Sequence, residues 1–431
     1  MVTQKRHLIF YGWFIALTGL LTHAMGYGAR YSFSVIFLSL LEHFQWPRDI
    51  TAAILSVHMM TYGIVAPVAG GLVDKIGPRR TMGIGATLLV LSLTLSAWGD
   101  EPWHFYLTFG LLAGAGLCLI GSVPFTTVLR NWFERRRGIA LSLIFAGTGA
   151  GFGFYPVIAF LITSVGWRNT FLAEAIVIAA IIPPLLLLIV RYHPRDKGVL
   201  RDGVLEARQT LSAAVAEPLE IRNQAWAATE WTLPKAARTR RFWLLCLATF
   251  SAWGISMHIM VTHHVAFAVD VGYSKIYASS VLSLYSLLFV CGSLAGMVSD
   301  RIGREASMTI ATIAAISGVT VLTLVIDTSQ PWMLYYYAAA LGLGQGMMAP
   351  TIAATATDIF QGPKVGATIG FIWFTFAIGG AIGPWLGGWI FETTGSYLPA
   401  FILAIALFAV ACTAIWLAGP RHIRGQIRSD S

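Results

Sequence analysis

The sequence predicts an all-α membrane protein, with twelve transmembrane helices in two pseudo-symmetric six-helix bundles. Three observations lead there. Of 431 residues, 56% are hydrophobic and only 11% charged, against about 25% charged in an ordinary soluble chain. The apolar residues gather into twelve runs, near 8–40, 50–73, 81–99, 104–129, 139–165, 168–190, 242–269, 276–299, 306–326, 331–357, 365–391 and 396–419. A hydrocarbon core about 30 Å thick takes about 20 residues of helix to cross. Finally, one loop segment occurs twice, once in each half of the chain.

A soluble chain of this length would form about three domains, and they would need far more polar surface than the sequence supplies. In lipid, unpaired backbone N–H and C=O groups have no water to turn to, so apolar runs of this length are helices. The first run begins near Leu8 and continues without a clear small-residue cleavage site, so it is expected to be the first span. Cys118, Cys246, Cys291 and Cys412 all fall inside apolar runs and form no CxxC pair. They are expected to pack as small core residues.

Charge sets the expected orientation. The N-terminus, the even-numbered loops and the C-terminus hold 25 of the 29 Lys and Arg residues. The opposite loops hold Arg48, Arg168 and Lys275, and Arg30 lies within the first span. The positive-inside rule then places both termini in the cytoplasm. The net charge of +9 fits an anionic membrane face; no nucleic-acid partner is expected.

A polar stretch over 191–241 divides the chain into a bundle at 1–190 and a second bundle with a tail at 242–431. The repeat spans this divide. Gly70-Gly71-Leu72-Val73-Asp74-Lys75-Ile76-Gly77 in the first half matches Gly296-Met297-Val298-Ser299-Asp300-Arg301-Ile302-Gly303 in the second, at an offset of 226 residues. Both read G-x-x-x-D-[KR]-I-G. Glycine also recurs in the fifth run (Gly147, Gly149, Gly151, Gly153) and the eleventh (Gly379, Gly380, Gly383, Gly387, Gly388). Duplicated halves of this kind enclose a midplane site in secondary transporters.

The repeated segment resembles the loop motif of the major facilitator superfamily, and the likeness covers essentially the whole chain. Narrower stretches resemble its oxalate/formate antiporter and monocarboxylate transporter branch: Tyr31-Ser32-Phe33-Ser34-Val35-Ile36-Phe37, Phe44-Gln45-Trp46-Pro47-Arg48 and Asn131-Trp132-Phe133-Glu134-Arg135-Arg136-Arg137-Gly138. So do Trp231-Thr232-Leu233 and Arg238 to Trp243 before the seventh run. The resemblance implies two rocking six-helix halves around a central site. It also implies a charge pair in the eighth helix, where this sequence has no charged residue before Asp300.

Candidate site residues follow from spacing and cost. His23, Tyr27, Arg30 and Ser34 stand at i, i+4, i+7 and i+11, one helix face. A charge at mid-bilayer costs at least about 2.5–3.5 kcal/mol, so such groups face a cavity and carry function. Arg30 is therefore the expected anion anchor, through its two-pronged guanidinium, unless it snorkels to the headgroups. Tyr27, His23, Tyr62, His258 and Thr262 are expected to line the same substrate site. His58, His258, His263 and His264 are candidates for proton coupling, because imidazole titrates near neutrality; hydrogen-bonded packing is the competing role. The loop motifs supply an expected cytoplasmic gate of Gly70, Asp74, Gly77, Arg79, Arg80, Arg130, Asp300, Arg301, Gly303 and Arg304, in which Arg130 is a partner for Asp74.

No metal site or cofactor is expected, and no P-loop lysine triplet or nucleophile–base constellation supports an ATP-driven pump or a membrane enzyme. The expected function is secondary transport of a small organic anion of the monocarboxylate kind, coupled to protons, in a bacterial inner membrane, with no obligatory protein partner. Two readings stay open beside it: carriage or export of an aromatic or neutral metabolite, vitamin or drug-like compound, and a solute sensor that does not turn over.

Overall fold

A computed structural model describes residues 10–133, 137–199, 226, 229–295, 299–360 and 366–422. Most of the polar stretch at 191–241 lies outside the described residues, as do the side chains of Asp74, Arg130, Asp300 and Arg301.

The described residues form twelve long rods: α1 (Gly12–Phe44), α2 (Arg48–Ile76), α3 (Pro78–Ser96), α4 (102–132), α5 (137–165), α6 (167–188), α7 (240–271), α8 (Lys275–Ala295), α9 (Arg304–Thr323), α10 (Trp332–Ile359), α11 (Gly366–Thr394) and α12 (Leu398–Ala418). The helices of α5 and α6 run together and are separated only by Gly166, at φ 84°. Among the described residues, eight stretches, one of them holding both α5 and α6, are long and apolar enough to cross a membrane. The other three rods, α1, α3 and α10, are diluted by Ser, Thr, Tyr, His and Gln that the fold largely buries.

Backbone geometry repeats with the sequence motif. Gly77 (φ 81°, ψ 159°) caps the start of α3, and Gly303 (φ 92°, ψ 154°) caps the start of α9. A side chain would be strained there, which is why glycine closes both motifs. The flanking bonds also match at the 226-residue offset. Gly77 N donates to Val73 O at 3.0 Å and Gly303 N to Ser299 O at 3.1 Å; Thr81 N donates to Gly77 O at 3.2 Å and Ser307 N to Gly303 O at 3.1 Å.

Contacts divide the chain into two compact units. The first comprises residues 1–30, 61–152 and 161–217; the second comprises 31–60, 153–160 and 218–431. In the first unit, small residues let helices approach, as expected where lipid gives no hydrophobic drive between them. A Cβ at Gly151 would lie 2.8 Å from Gly28 N, and one at Gly116 would lie 2.8 Å from Gly85 O.

In the second unit the glycines of α11 form a seam against α7. A Cβ at Gly379 would stand 2.7 Å from Gly254 Cα, one at Gly383 would stand 2.8 Å from Ile255 O, and one at Gly387 would stand 2.5 Å from the His263 ring. Residues 31–60 pack into this unit too: Ser34 Oγ donates to Val261 O at 2.8 Å, and Trp385 N donates to Ser56 Oγ at 3.3 Å. α7 widens to a π-helical stretch over Thr249–Ser256. Wide turns of this kind free backbone carbonyls and often mark functional places.

Candidate functional site

In the first unit, α1, α2 and α4 bring together four of the residues singled out from sequence. His23 Nδ1 donates to Gly19 O, one turn back, at 3.0 Å, so its Nε2, 3.3 Å from Ser122 Oγ, is the acceptor. The imidazole stacks on Tyr27, with ring centres 5.6 Å apart and planes 16° apart. Tyr27 and Tyr62 join through their hydroxyls at 3.2 Å. The Arg30 guanidinium carbon lies 5.5 Å from the ring centre of Tyr27 and 5.5 Å from that of Tyr62. Arg30 is 1% exposed. Arg30 therefore sits in a cradle of two tyrosine rings, beside the His23–Tyr27 stack. Tyrosine faces attract a cation by about 0.5–2 kcal/mol, most where water is excluded.

The remaining predicted residues, His58, His258, Thr262, His263 and His264, fall in the second unit and are all buried. Three imidazoles there are tied to backbone carbonyls. His258 Nδ1 approaches Gly254 O at 2.9 Å and Trp253 O at 3.3 Å, where the π-helical stretch ends. His263 Nε2 donates to Pro384 O at 2.8 Å, a carbonyl at a proline within α11. His264 Nε2 donates to Ala278 O at 3.2 Å, and its ring stacks on Tyr337 at 5.0 Å.

Of the expected gate, Gly77 and Gly303 shape the two turns, and Arg304 is buried. Its Nε donates to Asp358 Oδ2 at 2.8 Å and its Nη1 to Ser299 Oγ at 2.5 Å. Gly70 lies within α2, with Val123 Cγ1 3.9 Å from the position of a Cβ. Arg79 and Arg80 are exposed at the start of α3.

Sequence reasoning missed two constellations, both in the second unit. Arg48 grips Asp270 with both prongs, Nη1 to Oδ2 at 2.8 Å and Nη2 to Oδ1 at 3.0 Å. Tyr397 Oη accepts from Nη1 at 2.7 Å, the guanidinium lies 3.9 Å from the Phe391 ring centre, and the Arg48 N–H donates to Glu392 at 2.7 Å. Nearby in sequence, Lys275 bonds Ser39 and Glu42, each at 3.2 Å. The second constellation is a buried hydrogen bond, 2.5 Å long, from Tyr285 Oη to Gln345 Oε1. It forms where Gly342 and Gly346 of α10 meet the backbone of α8. A polar residue on a glycine-lined face, such as Gln345 between Gly344 and Gly346, was the available signal for it.

The family model described as Major Facilitator Superfamily matches residues 19–324 and 268–430. The chain belongs to the Major Facilitator Superfamily. It is a multi-pass membrane transporter of that family, a family of transporters and not of enzymes. Its sequence is 23% identical to rat "Monocarboxylate transporter 13" over 95% of this chain and 89% of that protein. It is 25% identical to mouse "Monocarboxylate transporter 11" over 96% and 88%. It is 24% identical to the "Uncharacterized MFS-type transporter YcxA" of Bacillus subtilis (strain 168) over 94% and 93%. In three dimensions it is similar to an unoccupied, inward-facing bacterial homologue of the human lysosomal transporter Spinster. The TM-score is 0.68, with 13% identity, and the match covers 96% of this chain and 98% of that one. The major facilitator fold expected from the repeat is thus the observed one.

Proposed function

We propose that this major facilitator protein carries a small organic anion of the monocarboxylate class by alternating access, with Arg30 as the carboxylate anchor. The carrying observation is a fully buried guanidinium within a transmembrane helix, flanked by two tyrosine rings on a face that also presents His23. A cation that costs this much to bury persists where an anion is handled. Tyr27 and Tyr62 hold its side chain by their faces, and a planar guanidinium suits a carboxylate. The names of the relatives support the same solute class. Protons are the coupling ion in this reading, exchanged through the buried imidazoles His58, His258, His263 and His264. Thr262 joins the substrate-contacting set. In this reading the membrane is a bacterial inner membrane, and the distribution of basic residues supports cytoplasmic termini. Bundles at 1–190 and 242–431, linked by 191–241, are the moving halves.

Reconstitution tests the proposal. Uptake of a labelled short-chain monocarboxylate into proteoliposomes should rise with an inward proton gradient. Arg30→Ala should lower it at least a hundredfold at unchanged protein content. Transport unchanged in that variant excludes Arg30 as the anchor. Uptake indifferent to collapse of the gradient excludes proton coupling.

A further inference from the structure

In the first unit, the start of α3 and the end of α6 frame an open cavity of about 1070 Å³, lined by none of the residues of the Arg30 site. Its floor carries Arg79, Arg80, Arg191 and Tyr192, and its wall carries Ile84 and Leu187. The floor is firmly built. Arg79 and Arg191 both donate to Leu187 O, and Arg191 also reaches Val190 O at 3.0 Å, so two cations cap the carboxyl end of α6. The segment after α6 is pinned by Tyr11 Oη to Ile189 O at 2.8 Å, Trp132 Nε1 to Arg191 O at 2.9 Å and Asn131 Nδ2 to Tyr192 O at 3.3 Å.

The one acidic residue of the lining, Asp196, accepts from the His193 N–H at 3.0 Å within its own turn. Arg80 is exposed and, among the described residues, has no hydrogen-bond or ion-pair partner. The wall is different in kind. Ile84 is 45% exposed, and the neighbouring Leu187 and Leu188 are 54% and 70% exposed, as befits side chains that meet acyl chains.

A ligand for this place needs an anionic head at the arginines and a hydrocarbon tail along the wall. We infer that the groove between α3 and α6 binds an anionic phospholipid, its phosphate held by Arg80 and Arg191 and an acyl chain lying on Ile84 and Leu187. Free phosphate would use the floor and leave the wall bare. Zwitterionic lipid would cover the wall but gain less at the floor. Each basic residue near a membrane surface is worth about a fivefold change in affinity for anionic lipid.

Native mass spectrometry of the purified chain, titrated with phosphatidylglycerol or phosphatidylcholine, tests this. Phosphatidylglycerol should bind the unsubstituted chain at least tenfold more tightly. Arg80→Gln, which breaks no bond among the described residues, should cut that preference about fivefold, and Arg80→Gln with Arg191→Gln should abolish it. Arg168→Gln, which removes the Arg168–Asp100 pair elsewhere in the same unit, should keep it. Equal binding of the two lipids overturns the inference. So does a preference that Arg80→Gln leaves undiminished, one that Arg168→Gln reduces equally, or displacement of the lipid by millimolar inorganic phosphate.

Discussion

Arg30 and Arg48 lie eighteen residues apart on consecutive helices, and the protein treats them differently. Arg48, in the second unit, meets a carboxylate the protein supplies: Asp270 fills both prongs, Tyr397 and Phe391 close the sides, and the pair stays 18% and 35% exposed. Arg30, in the first unit, is 1% exposed and lies against two tyrosine rings. The difference teaches what each arginine is for. A guanidinium given its own carboxylate holds helices together. One cradled by aromatic faces and sunk in a span is, in the proposed reading, the anchor for the solute's carboxylate.

Exchanging the charges of Arg48 and Asp270 tests that contrast hardest. Arg48→Asp would set two carboxylates against each other and should cut transport at least tenfold, and Arg48→Asp with Asp270→Arg should recover most of it. The exchange restores a tie but not a substrate contact, so recovery marks Arg48 as structural. Failure to recover would mean that Arg48 touches the solute.

Tyr62 comes next in expected size. Tyr62→Leu removes a face of the Arg30 cradle and should raise the KM for the anion about tenfold, consistent with a desolvated cation–π contact of about 1–2 kcal/mol. Tyr62→Phe keeps the ring, loses only the bond to Tyr27, and should change KM less than threefold. Equal effects from the two variants would show that the hydroxyl, not the face, matters.

The smallest effect is expected at Tyr397. Tyr397→Phe deletes one hydrogen bond to Arg48 and should cost about 1 kcal/mol, seen as a small fall in the unfolding midpoint with the substrate KM unchanged. A changed KM would blur the distinction between the two arginines.

The sequence made some of this legible, for identifiable reasons. The twelve rods follow from apolar length, and the two glycine turns from a motif whose φ near +80° to +92° only glycine adopts easily. The His23–Tyr27–Arg30 spacing follows from helical periodicity, and Tyr62 meets it through the Tyr27 hydroxyl and the Arg30 side chain. Arg48 and Asp270 are 222 residues apart in sequence, and no local pattern connects two charges at two helix ends. The π-helical stretches at Tyr106–Leu112 and Thr249–Ser256 were also invisible, because their residues read like those of any α-helix. His263 and His264 looked alike in sequence. Their carbonyl partners, Pro384 and Ala278, lie on different helices, which only packing could reveal.

The seam of Gly379, Gly383 and Gly387 carries a consequence for mutagenesis. The room available to the imidazoles of α7 is dictated by hydrogen atoms more than a hundred positions downstream. Enlarging Gly387 by one methyl therefore amounts to a substitution at His263, although that histidine's own codon is untouched. Variants gathered around the histidines alone would underestimate how tightly their setting is specified, while α11 would hold much of the intolerance.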